Sequence, residues 1–225
     1  MARFTVRFFI AKVRRRLGIQ VRPSAYWDEK YATETFIYTK VANRFIVEFC
    51  EPLKPGTAID LAGGEGRNTV WLAERGWRVE NVDISKLGLK KCMEFATERG
   101  VAELVSTLCA SGEHFVSALA PADLGIIPYL QVPRVLLEAS MRNLVSQLKP
   151  GGYLVGVGHS LDNLNGGFGG PQDPLVLPSV QSLKEICSKL PLEVEVCENR
   201  DGQVQTKDGL KPSITVVLKA RVTAE

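Results

Sequence analysis

Short, largely apolar runs recur along this chain, and between them apolar residues return every third or fourth position. The runs 57–61, 78–82, 103–109, 122–127 and 153–158 read as strands. The stretches 26–32, 41–50, 67–75, 86–99, 133 to about 148 and 180–189 read as helices. Punctuation agrees with this division. Pro52 and Pro55-Gly56 stop the second helix, Gly76 and Gly100 close two others, Ser85 is placed to cap the helix from 86, and Pro133 opens the fifth. Lys149-Pro150-Gly151-Gly152 predicts a sharp turn into the strand at 153. After a glycine-rich loop at 165–174, two alternating runs, 192–198 and 214–222, have no helix between them. Turn signals at Asp201-Gly202 and Asp208-Gly209 lie in the connection. Alternating strands and helices predict a mostly parallel sheet covered on both faces, finished by an antiparallel hairpin at one edge.

Composition narrows the picture without changing it. The chain has 225 residues, 45% of them hydrophobic and 24% charged, enough for one globular core. No apolar run is long enough to span a membrane. The five cysteines and two histidines form no metal-ligand spacing, so neither a metal site nor a disulfide framework is expected. Charge is uneven. Residues 1–27 hold seven of the 28 basic residues and none of the 25 acidic ones. The rest therefore carries 21 basic against 25 acidic residues and offers no basic groove for nucleic acid.

In residues 1–24 the basic positions alternate with Phe4, Phe8, Phe9, Ile10, Val13 and Leu17 at near-helical spacing. Three readings of this arm stay open. Residues 1–20 would touch a membrane surface peripherally, they would direct the chain to an organelle, or they would form an extra helix packed on the domain or at a homodimer contact. The remainder, 25–225, is expected to be the functional domain, in the cytoplasm unless the arm directs otherwise.

The candidate chemistry sits between the first strand and the next helix, in Asp60-Leu61-Ala62-Gly63-Gly64-Glu65-Gly66-Arg67-Asn68. A strand ending in a carboxylate, a glycine turn and a helix start make a nucleotide-type cofactor loop. A dinucleotide fingerprint would place glycines at 62, 64 and 67, but position 67 is Arg. A loop for S-adenosylmethionine fits Asp60, Gly64 and Gly66, with Ala62 in place of the first glycine. A plain structural turn is the third reading.

Together with Trp27-Asp28-Glu29-Lys30-Tyr31, Val82-Asp83-Ile84-Ser85, Leu148 to Gly152, Gly158-His159 and Gly169 to Pro174, this loop resembles the class I S-adenosylmethionine-dependent methyltransferases. Within them it is similar to the small-molecule branch that includes the tellurite-resistance and thiopurine-type enzymes, over about residues 25–222. The resemblance implies a Rossmann-like, seven-stranded, mostly parallel α/β sheet and methyl transfer to a small molecule. It implies that Asp60, Ala62, Gly63, Gly64, Gly66 and Asn68 cradle the methionine end of the cofactor. Asp83 would take the ribose hydroxyls and Ile84 and Ser111 would flank adenine. Ile127 and Pro128 would pass beside the methionine moiety, and Trp27 and Tyr31 would cover the sulfonium. His159, at the end of the fifth strand, is the first candidate for a proton acceptor, with Tyr129, Asp162 and Asp173 behind it. The loop at 165–174 is expected to close over the acceptor. A non-catalytic protein on the same fold and a nicotinamide-dependent oxidoreductase remain the competing functions.

Overall fold

The computed structural model describes residues 22–206 and 208–224. The arm proposed for residues 1–24 therefore lies almost entirely outside the described residues. Seven strands form one sheet in the order β3-β2-β1-β4-β5-β7-β6. They are β1 (Thr57–Leu61), β2 (Arg78–Asp83), β3 (Val105–Cys109), β4 (Ala122–Pro128), β5 (Leu148–His159), β6 (Leu192–Thr206) and β7 (Gly209–Val222). The first five run parallel, and β7 is antiparallel to both β5 and β6. The α-helices are α1 (Ser24–Tyr31), α2 (Arg44–Cys50), α3 (Arg67–Ala73), α4 (Lys86–Glu98), α5 (Arg134–Val145) and α6 (Val180–Cys187).

The pleat of each strand divides the core into two. Ile59 and Leu61 of β1 face a cluster with Leu137, Met141 and Leu144 of α5 and Ile186 of α6. Ala58, just before them on the opposite face, packs with Phe45 and Ile46 of α2, Leu72 of α3 and Phe95 of α4. Asp60 shares that second face and so points into the α3–α4 layer. Local caps fix where helices begin. The Asn43 side chain accepts from the Phe45 and Ile46 N–H groups, Ser85 accepts from Gly88, and Ser179 and Ser182 form a reciprocal capping box.

Two turn expectations are corrected. Residues 149–152 do not precede β5 but lie within it, and the chain's irregularity there appears as a register slip between Ala122 and Leu124 of β4. The final hairpin is also longer than expected. Asp201-Gly202 is no turn, because Gly202 pairs with Ser213 inside the ladder. A side chain at Gly202 would sit 2.6 Å from the Ser213 hydroxyl, so this glycine serves close packing. The connection falls between Thr206 and Gly209.

Candidate active site

Strand order reverses at β1, with β2 on one side and β4 on the other, and the glycine loop leaves β1 at that point. Ligands of open α/β sheets bind outside the carboxyl ends of the strands at such a crevice. Ala62 (φ 63°), Gly64 (φ 54°) and Gly66 (φ 83°) all take left-handed backbone. Only glycine does this at no steric cost, so Ala62 is held under strain. Gly66 has a second constraint, because a Cβ there would run into the Cys92 thiol of α4. The missing third glycine of the dinucleotide pattern is thus supplied one position earlier, for packing of α4 on the loop.

Two carboxylates lie against this loop. Asp83 accepts from the Gly64 N–H at 3.0 Å and from the Ser85 N–H at 2.8 Å, and is nearly buried. Asp60 is wholly buried beneath Gly63, where its Oδ2 accepts from the Thr69 hydroxyl at 2.6 Å. Its Oδ1 has no partner, nor has the Oδ1 of Asn81, its neighbour across the β1–β2 ladder. Loss of solvation pushes the Asp60 carboxyl up to about 7, and the charge of Asp83 adds to this; the Thr69 hydrogen bond and Arg67 oppose it. Burial likewise raises Asp83 above the usual carboxylate range, against its backbone hydrogen bonds. A pair of carboxylates and two unpaired acceptor oxygens beside a side-chain-free loop suit a cationic ligand carrying a diol.

The space above Gly64 is taken by Tyr31. A Cβ on Gly64 would lie 2.5 Å from the Tyr31 hydroxyl. Trp27 stacks on Tyr31 with centroids 6.0 Å apart. Asp28 pins α1 to the start of α4 by accepting from the Ser85 hydroxyl at 2.7 Å and the Leu87 N–H at 3.1 Å. The following segment is latched by Glu65. Its carboxylate accepts from Ile37 and Tyr38 N–H groups and pairs with Lys91 at 3.0 Å, and Lys91 also donates to Thr33 and Thr35. Sequence reading missed Glu65 and Lys91. Their burial was the signal, and sequence does not display it.

On the β4–β5 side, Tyr129 follows β4 with φ 60°, a strained value for a bulky residue. Its ring lies 5.1 Å from that of His159, its hydroxyl accepts from the Asn43 amide at 3.1 Å, and the Arg67 guanidinium sits 5.7 Å over its face. His159 is half-buried, its Nδ1 is unpartnered, and burial lowers its pKa. Gly170 packs directly on the imidazole ring.

The remaining expected residues take the following places. Asn68 is buried and accepts from the Asn43 N–H at 2.9 Å, so it fixes the approach to α2. Ile127 points into the α5 core cluster. Pro128 ends β4, Ile84 is half-buried beside Asp83, and the Ser111 carbonyl closes a turn with His114 and Phe115. Asp162 and Asp173 have structural partners: Asp162 accepts from the Asn199 amide of β6, and Asp173 caps a turn by accepting from the Leu175 N–H. The loop at 165–174 is stitched down: Asn163 donates to the Phe168 and Gly169 carbonyls, and the Phe168 N–H donates to Pro212. It covers His159 as an ordered part of the connection from β5 to α6, tied to the hairpin at Pro212.

This sheet order, with a glycine cradle and paired carboxylates at the switch point, defines a class I methyltransferase fold. Residues 58–152, less than half of the chain, match the methyltransferase domain family. The chain is 30% identical over 106 residues to ribosomal RNA small subunit methyltransferase C of Alcanivorax borkumensis, covering 45% of this chain and 31% of that protein. It is 30% identical over 101 residues to tRNA 5-carboxymethoxyuridine methyltransferase of Escherichia coli K12, covering 43% and 37% respectively. The chain thus spans about a third of the length of the curated relatives it matches. Among solved structures, TehB from Haemophilus influenzae superposes with a TM-score of 0.66 at 17% identity, covering 88% of this chain and 66% of TehB. A methyltransferase from Methanosarcina mazei gives 0.64 at 15%, covering 82% and 100%. The two curated relatives are RNA methyltransferases, so the expectation that nucleic acid plays no part draws no support from them. What stands is a methyl acceptor of open class. Among the described residues, no helix is long and apolar enough to cross a membrane.

Proposed function

We propose that this chain transfers the methyl group of S-adenosylmethionine to a small-molecule nucleophile, at the carboxyl ends of β1, β4 and β5. The observation that carries the reading is the buried pair Asp60 and Asp83 on either side of the Gly63-Gly64 cradle. When bound, the cofactor supplies a methyl group already activated by its sulfonium, so the protein's work is to position and to exclude water. Asp83 retains lone pairs for the ribose hydroxyls beyond its two backbone bonds. Asp60 acts from under the loop as a counter-charge. Trp27 and Tyr31 close over the sulfonium once Tyr31 leaves the face of Gly64. His159, uncharged at neutral pH, accepts the proton of a hydroxyl or thiol acceptor, with Tyr129 holding its ring.

The test is equilibrium binding of S-adenosylmethionine, S-adenosylhomocysteine and NAD by calorimetry. Binding of the first two without NAD is expected, and binding of NAD alone would overturn the proposal. A second reading, a non-catalytic protein on this fold, is favoured by the Tyr31 hydroxyl standing over Gly64. It gains if Tyr31→Ala also fails to bind S-adenosylmethionine.

A further inference from the structure

We propose that Arg67 reads a carboxylate on the methyl acceptor, and that this carboxylate is a handle rather than the methylated group. The inference rests on the methyltransferase reading above. Arg67 is half-buried at the mouth of the crevice, and among the described residues it makes no hydrogen bond or ion pair. Its guanidinium lies over the face of Tyr129, the ring that contacts His159, and feels the Asp60 carboxyl at longer range. A partly buried planar guanidinium with no hydrogen-bonded partner has its forked N–H groups free, and these match a carboxylate bidentately. Gln131, two residues after Tyr129 on the segment leaving β4, also keeps its Nε2 buried without an acceptor.

The crevice is therefore polarised. Acidic groups, Asp60 and Asp83, lie on the side of the cationic methyl donor, while an unpaired cation and an unpaired amide donor lie on the β4 side. An anionic acceptor is drawn to that second side. A carboxylate gripped by Arg67 has its lone pairs engaged, so the attacking atom is another group of the same molecule. That atom's lone pair forms the new bond to the methyl carbon, the carbon–sulfur bond breaks with its pair staying on sulfur, and the proton passes to His159.

The test uses the full chain, S-adenosylmethionine labelled in its methyl group, and a small-molecule cell extract split on an anion exchanger into acidic and neutral-plus-basic pools. Label is expected in the acidic pool, in a product that stays acidic and keeps its label in mild base. Arg67→Gln should cut that labelling at least tenfold while the calorimetric Kd for S-adenosylmethionine changes less than threefold, with Arg67→Lys recovering only part. Label in the neutral-plus-basic pool, label in neither pool, or base-labile methyl ester would each overturn the inference. A tenfold weaker Kd in Arg67→Gln with unchanged acid labelling would overturn it too, by assigning the guanidinium to the amino-acid carboxylate of the methyl donor. Failure of the unmodified chain to bind S-adenosylmethionine at all would instead remove the methyltransferase reading beneath it.

Discussion

Asp60 holds more of the site's energetics than any other residue, because it is fully buried with one oxygen unpaired. Its folded pKa, about 7, stands above the unfolded value near 3.8. The folded state therefore binds the proton more tightly, and the associated stability is present below the unfolded value and lost as pH rises through about 7. Asp60→Asn removes this dependence. Its amide can donate to the orphaned Asn81 oxygen, so the variant is expected to be more stable than the native chain at pH 8 by about 1–3 kcal/mol, measured by urea unfolding. The same charge governs the cofactor. Affinity for S-adenosylmethionine should tighten as pH rises from about 6 towards 8, and in Asp60→Asn it should be flat and weaker. Ala62, in left-handed backbone, gives a prediction of its own. Ala62→Gly relieves the strain but loosens the unfolded chain, for a net gain of about 0.5–1 kcal/mol; an unchanged denaturant midpoint would count against strain there. His159→Ala should lower turnover about a hundredfold or more with the Kd for S-adenosylmethionine unchanged, and an undiminished rate would remove the proton-acceptor role.

At the scale of elements, α1 and the segment after it decide access. Tyr31 fills the room over Gly64, Trp27 stacks behind it, and the Glu65–Lys91 pair fastens residues 33–38. Tyr31→Ala is expected to raise both the association and the dissociation rate of S-adenosylmethionine severalfold in stopped-flow measurements. An unaltered association rate would mean that the ring does not gate the crevice. The loop at Asp60–Asn68 was legible in the sequence because its requirements are local: a buried strand, then backbone conformations that only small residues tolerate. Asp83 was legible from its place at the end of the second strand. Arg67 and Glu65 stood in the same motif yet were silent, since what matters about them is what does and does not face them across the fold. The hairpin length was misjudged for a related reason. Gly202 looked like turn chemistry, and only the hydroxyl of Ser213 opposite reveals it as a packing position.

For the whole molecule, the alternating pattern predicted the parallel sheet and its antiparallel finish, and the structure bears both out. Sequence could not say that the last strand lies inside the sheet rather than at its edge. Val216, Val217, Leu218, Ala220 and Val222 of β7 are buried between β5 and β6 and contribute to both core clusters. A chain stopped before Val216 should lose cooperative thermal unfolding altogether, and a retained sharp transition would contradict this. The consequence reaches back to synthesis. Until residue 222 clears the ribosome, β5 and β6 cannot be joined, and a nascent chain carries an open ladder between them. Completion of the sheet thus waits for β7, and until it arrives holdase chaperones or a neighbouring nascent strand compete for the gap that β7 is made to fill.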